Sequence, residues 1–417
     1  MRLYGEKIDK STTFPTLSHL GHALYKNNEL HKAADAYLES FKIQVSIITG
    51  DDCEGLADFS NGFETFKEQL KSISKDDDEI VTMSEALGSI ASILRYLGLA
   101  YHALGNPEFA LNVNKLSLSV RLCQPFREDS AIALMAETIA MFEFKQNNLN
   151  SALEYFNQAL EAKKRVQGES TIDVARTVNN LANIHFSLGN HDDAMQLYEE
   201  ALEIKKHCLG EDSDDVANTM NNIAHVMVAA GKDQDALHAY HVVLKIRQDK
   251  YGKNHDSVAS TLVSMSDVYI KLGKLEIAMT YLEQVMRIKN LQNESHDERV
   301  MENLASIYGK LGEWQKAESA FKDIINLKRA SYGADCIDVA KTLDLLAVSY
   351  IEQDRCDESI NHLQEALRIR KVCLGEEHDE VLASLNKLAF VYKSCSMTDK
   401  MLEVKAEFDH IQVSRKR

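Results

Sequence analysis

Residues 177–217 read TVNNLANIHFSLGNHDDAMQLYEEALEIKKHCLGEDSDDVA, and two glycines, Gly189 and Gly210, punctuate them. Between the glycines the stretch reads as helix, running through Leu202, Ile204, Lys205 and Lys206 before stopping at Gly210, where a left-handed C-cap is wanted. Both glycines recur. Gly168, Gly210, Gly252, Gly333 and Gly375 are separated by 42, 42, 81 and 42 residues, the 81 being one period of 42 and one of 39. Gly189, Gly231, Gly273 and Gly312 keep the same beat at 42, 42 and 39. The chain is therefore a two-helix repeat array. Such units cannot bury their apolar faces alone, so they are expected to stack into a solenoid whose inner wall is a binding surface.

Numbering one unit from Ala175 puts Leu181 and Ala182 at positions 7 and 8, His185 at 11, Gly189 at 15, Ala194 at 20, Tyr198 at 24 and Ala201 at 27. Positions 8 and 20 are small so that the two helices approach closely. Leu97, Gly98, Tyr101, Gly105 and Ala110 repeat the pattern earlier, and Leu304, Ala305, Tyr308, Gly312, Ala317 and Phe321 repeat it later. Units are expected to start near Phe14, Ala91, Ala133, Ala175, Ala217, Ala259, Glu298, Ala340 and Leu382. The last is degenerate, because Met401 stands where its second helix needs a small residue. Three regions follow: an N-terminal unit at 1–50, a non-standard helical insert and acidic loop at 51–90, and an array of about eight units at 91–417. The insert is read as a helix over 56–73, an acidic loop over 75–79 and the lead-in to a long helix.

This set of positions resembles the tetratricopeptide repeat, and the 42-residue period together with NNLA resembles the repeats of kinesin light chains. The resemblance is strongest over residues 133–392 and implies an all-α, right-handed superhelical solenoid of about nine antiparallel helix pairs. It also implies a concave groove for extended peptides, lined by positions 2, 5, 6, 9, 12 and 13 of each first helix. Those positions hold Arg176, Asn179, Asn180, Asn183 and Phe186, then Asn218, Asn221, Asn222, His225 and Val228. Beyond them come Ser260, Ser264, Asp267 and Lys271, then Arg299, Glu302, Asn303 and Lys310. Asparagine is a middling helix former, so its repetition on one face asks for a reason. A carboxamide donates to a peptide carbonyl and accepts from a peptide N–H at once, which suits a chain read through its backbone. Asp267 and Glu302 would favour a partner with basic residues.

Two features restrain the analogy. The inter-repeat His-Pro of the family is replaced by His255-Asp256, His296-Asp297 and His378-Asp379, and no heptad segment precedes the repeats, so motor association is not supported. The clamp that holds chaperone tails in related arrays needs three cations; the matching positions are Asn179, Asn183, Asn222, Ser260 and Ser264, which keep both asparagines and lack every cation.

Composition narrows the function classes. Asp plus Glu is 64 against 47 for Lys plus Arg, a net charge of -17, which disfavours nucleic acid as a partner. Hydrophobic residues at 45% with 3 prolines leave little material for disordered linkers. Neither a signal-type apolar segment nor a membrane-spanning run is found, and the seven cysteines, scattered and without a CxxC pair, read as reduced core thiols of a cytoplasmic protein. There is no HExxH, GxxxxGK[ST], GxSxG, GxGxxG or EF-hand loop, so no catalytic residue, metal site or cofactor is expected. The His-Asp pairs recur once per unit, too far apart to share a metal, and are read as loop hydrogen bonds with helix N-caps from aspartates such as Asp173, Asp214, Asp256 and Asp379. Lys163-Lys164-Arg165, Lys205-Lys206, Lys328-Arg329 and Arg370-Lys371 are read as last-turn cations complementing the helix dipole. The expected function is that of a non-enzymatic protein-interaction adaptor or scaffold. The alternatives are a peptide-sensing regulator whose superhelix changes shape, and a structural spacer.

Overall fold

A computed structural model describes residues 10–49, 77–124, 128–291 and 297–415. Among them every regular element is helical; there are eighteen helices and no strand. The chain forms two compact units, Met1–Ala230 and Gly231–Arg417.

The first unit holds α1 (Lys10–Lys26) with α2 (Leu30–Thr49), α3 (Asp77–Ala103) with α4 (Pro107–Leu122), α5 (Asp129–Lys145) with α6 (Leu149–Gln167), α7 (Ile172–Ser187) with α8 (His191–Leu209), and then α9 (Asp214–Ala229). The second unit opens with α10 (Asp233–Tyr251). It continues with the pairs α11 (Asp256–Lys271) and α12 (Leu275–Leu291), α13 (Glu298–Lys310) and α14 (Trp314–Tyr332), α15 (Ile337–Ile351) and α16 (Cys356–Leu374), and α17 (Asp379–Ser394) and α18 (Thr398–Ser414).

Within a pair the small residues do what the spacing asks. Ala182 and Ala194 are fully buried and pack in one cluster with Tyr198, Ile223 and Val226. In the first pair Gly21 takes the same role: a Cβ there would stand 2.7 Å from the Tyr37 ring, so the close approach of α1 and α2 needs glycine. The aromatic side chains expected in the core are there, with Tyr37, Phe156, Tyr198, Tyr240 and Phe321 among the largest fully buried groups. Helices α6, α8, α10, α14 and α16 each end at a glycine with positive φ; Gly210, at φ 83, donates its N–H to the Lys206 carbonyl and closes α8.

Helix starts differ from the expectation. Asp173, Asp214, Asp256 and Asp379 lie in the first turn of their helices, and the cap is the residue before that turn: the side chains of Thr171 and Ser213 accept from Val174 and Val216 N–H. In α11 and α17 the capping acceptor is a histidine, His255 or His378, through Nδ1. Position explains the swap. The aspartates sit one or two residues too late to fold back on the first free N–H groups, yet they still complement the positive helix end. Asp297 is the exception and caps α13 directly.

Three further readings are corrected or limited. Asp77, Asp78 and Glu79 belong to α3 and not to an acidic loop, while the helix expected at 56–73 lies outside the described residues. Cys356, at the start of α16, is bonded to Cys395 at the end of α17, across a Cα separation of 6.2 Å that suits a disulfide. Cys123, Cys208 and Cys373 are exposed and Cys336 is half-exposed, so the cysteines are not a set of reduced core thiols.

Candidate functional site

The cation pairs at the ends of the second helices are not equivalent neighbours. Helical geometry turns successive residues by about 100°, so one member of each pair faces the next repeat while the other faces solvent. Lys205 is the inward one, 4% exposed. Its Nζ donates to the Thr219 hydroxyl on α9 at 2.7 Å and approaches Asn179 Oδ1 on α7 at 3.4 Å. Burial lowers the pKa of this ammonium, and the charge of Asp215 works against that shift.

The arrangement recurs in both units. Lys163 reaches Glu137 at 2.7 Å and Thr177 at 2.8 Å, and Lys328 reaches Glu302 at 2.7 Å and Thr342 at 3.0 Å. Arg370 joins Asp344 at 2.9 Å to Ser384 at 2.8 Å, and Arg247 donates to Thr261 at 2.7 Å. Each such cation ties a position-5 side chain of its own repeat, or a hydroxyl of the next, into a buried polar rung. The reading of these cations as dipole partners is therefore corrected for Lys163, Lys205, Lys328 and Arg370. The signal was present in the sequence. A hydroxyl residue stands 14 residues after each cation, and an acid or amide stands 26 before it: Glu137, Asn179, Asn221, Glu302 and Asp344 for Lys163, Lys205, Arg247, Lys328 and Arg370.

The rungs sort the groove candidates of the first unit. Asn179 is taken into one. Asn183 accepts from the buried Tyr198 hydroxyl, which fixes its carboxamide, and Asn222 Nδ2 reaches the same oxygen at 3.5 Å, the outer limit of a hydrogen bond. Arg176 lies between Asp173 at 3.7 Å and Asp215 at 3.5 Å, and Asn218 donates to Asp214 at 3.1 Å. Asn180 and Asn221 are half-buried and find no hydrogen-bond partner among the described residues. His225 is exposed on the same helix as Asn221, and Phe186 packs at the edge of the Tyr198 cluster.

In the second unit the acidic candidates are already neutralised. Asp267 accepts from Arg299 at 3.0 Å and from Asn303 at 3.5 Å, and Glu302 is held by the buried Lys328. Ser264 hydrogen-bonds within its own helix to the Ser260 carbonyl at 3.3 Å. A carboxylate paired with its own arginine or lysine offers little to a cationic partner, so the basis for expecting basic partner residues at Asp267 and Glu302 falls away.

Among the described residues no group of three His, Cys, Asp or Glu side chains is placed to hold a metal ion, and no helix is long and apolar enough to cross a membrane. The family model described as tetratricopeptide repeat matches residues 129–207, 173–249, 215–290, 297–371 and 338–395. Among solved structures, the apo form of RapI is 12% identical over 97% of each chain with a TM-score of 0.54, a likeness that bears on the fold alone. BtubC (BKLC) from P. vanneervenii is 22% identical over 55% of this chain and 93% of its own, with a TM-score of 0.44. A Rap protein complexed with competence and sporulation factor is 16% identical over 94% of this chain and 99% of its own, with a TM-score of 0.44. Comparison with curated protein sequences finds no match.

Proposed function

The chain belongs to the tetratricopeptide-repeat family, and from that premise we propose that it is a non-enzymatic adaptor whose first-helix face on α7 and α9 holds an extended segment of a partner protein. The observation that carries this reading is the unspent hydrogen-bonding capacity of Asn180 and Asn221, two half-buried carboxamides without a protein partner among the described residues. Asn222 adds a third carboxamide that makes one long contact. Each can donate to a peptide carbonyl and accept from a peptide N–H, so a row of them reads a backbone and not a side chain. Asn183 serves a different purpose on this reading. Its oxygen is spent on Tyr198, which leaves its NH2 pointing in a fixed direction for the partner.

Partner specificity on this face would come from Phe186 and Val228 beside the amides. The test is Asn180→Ala combined with Asn222→Ala. Removing a carboxamide leaves a desolvated peptide group unpaired, at about 1–3 kcal/mol each, which is fivefold or more in affinity. A partner recovered by wild-type protein should be lost by the double variant at unchanged helicity. Undiminished affinity in a calorimetric titration of that partner would end this proposal.

A further inference from the structure

A cavity of about 520 Å3 opens in the first unit between α1 and α3, away from the asparagine face. Its volume exceeds that of any single side chain and fits a short peptide segment. Its α1 wall is Pro15, Ser18, His19 and His22, which stand at positions 2, 5, 6 and 9 of the first repeat, the positions read as groove-facing. Its other wall is the middle of α3, from Glu85 to Tyr96, where the lead-in to the helix passes into the repeat that starts near Ala91.

The polar groups of this lining mostly accept. His22 Nδ1 lies 2.7 Å from the Ser18 carbonyl, which can only accept, so Nδ1 carries a proton and donates to it. The Ser89 and Ser92 hydroxyls give their protons to the Glu85 and Gly88 carbonyls, at 3.1 Å and 2.8 Å; Ser89 keeps its lone pairs, while Ser92 spends one on Arg121. Glu85 is exposed and pairs with no cation among the described residues. Glu128 closes the site, and Arg121 holds it: this guanidinium is 6% exposed, donates to Glu128 Oε2 at 2.7 Å and to Ser92 Oγ at 3.2 Å, and has no partner at Nε. A buried cation has thus been used to set one carboxylate and one hydroxyl in place. The Tyr96 ring, edge-on to His22 at 4.0 Å between centroids, and Pro15 and Ile93 give the apolar contact that an alkyl stem requires. Arg95, whose guanidinium lies 5.8 Å from the Tyr96 centroid, is not part of the lining.

We propose that this cavity is a second peptide subsite, and that it takes an arginine or lysine side chain of an extended partner segment. Acceptors around an unpaired carboxylate match a group that only donates, and a guanidinium is the side chain with most donors and no acceptor. The preference for a basic partner thus moves from Asp267 and Glu302, which are internally paired, to Glu85, with Glu128, itself paired with Arg121, closing the site.

The inference extends the adaptor reading but does not use the asparagine face, so the two can fail separately. The probe is a fluorescein-labelled, end-blocked hexapeptide Ala-Arg-Ala-Arg-Ala-Arg, titrated with full-length protein by fluorescence anisotropy at about 0.15 M salt, where long-range attraction to the acidic protein is largely screened. The same peptide with citrulline for arginine is the uncharged control. Saturable binding of the arginine peptide is expected, with a loss of about fivefold or more in Glu85→Gln and in the cavity-filling Ser89→Tyr. Asp212→Asn, which removes an equal charge from the exposed turn after α8, should stay within about twofold. No saturable binding, equal binding of the citrulline peptide, or equal losses in Glu85→Gln and Asp212→Asn would overturn the inference. Loss in the asparagine variant with none in Glu85→Gln would overturn it too while leaving the asparagine face standing.

Discussion

Thr219→Val removes one hydroxyl and keeps the shape of a side chain that is fully buried. That hydroxyl is the near acceptor for the Lys205 ammonium, at 2.7 Å, and its loss leaves Lys205 with Asn179 Oδ1 at 3.4 Å. A hydrogen bond to a charged group contributes about 1.5–3 kcal/mol, and here the group left behind is a cation that water does not reach. A destabilisation of about 2 kcal/mol is therefore expected, or about 4–8 °C in Tm for a unit of this size. Urea unfolding would give the free energy, and hydrogen exchange would place the loss. Because repeats couple to nearest neighbours, the drop in protection should centre on α8 and α9 and fade before α5. The double variant Lys205→Met with Thr219→Val supplies the decisive comparison, since replacing both partners by apolar groups removes the buried charge and is nearly neutral. It should recover most of what Thr219→Val loses. A single variant within about 0.5 kcal/mol of wild type, or a double variant worse than the single, would refute the claim that the buried rung ties one repeat to the next.

Ala182→Leu should cost about 1–3 kcal/mol by overpacking the contact of α7 with α8, read as a fall in the urea midpoint at constant m-value. Unchanged unfolding would mean that position 8 of this repeat is not the close contact. Lys205 also predicts a pH dependence. Burial holds its ammonium below the ordinary 10.5, so between the folded value and 10.5 the unfolded chain binds a proton that the folded chain has shed. Stability from this group therefore rises with pH through that window. Wild type should gain on Lys205→Met as the pH rises toward 10.5, and a flat difference in unfolding free energy on that approach would contradict it.

The helix pairs were legible because glycine and alanine mark them at fixed intervals: Gly210 and its equivalents end helices, and Ala182 and Ala194 let helices touch. The groove candidates were legible only by face. Position along a first helix tells which way a side chain leaves the backbone, but it does not tell whether a neighbour 26 or 40 residues away has claimed it, as Lys205 and Thr219 claim Asn179. Charge pairing shows the same limit. Asp267 and Glu302 look available in a chain of net charge -17, yet Arg299 and Lys328 already neutralise them. The aspartate caps were misplaced by one or two residues, a shift that moves the capping role to Ser213 or His255 without altering where the helix begins in any useful sense. The Cys356 and Cys395 pairing, 39 residues apart, follows from the stacking of α16 on α17 and has no marker in spacing or composition.

The proposal that the asparagine face carries the partner is tested most directly by a photo-crosslinking amino acid placed at position 180 and, in a second protein, at position 206. Asn180 is half-buried on the first-helix face, whereas Lys206 follows the buried Lys205 and lies on the other side of the repeat. Irradiation of the complex should give a crosslink from position 180 whose adduct maps to one continuous segment of the partner, and none from position 206. Crosslinking from position 206 with none from position 180 would contradict the account and move recognition to the second helices.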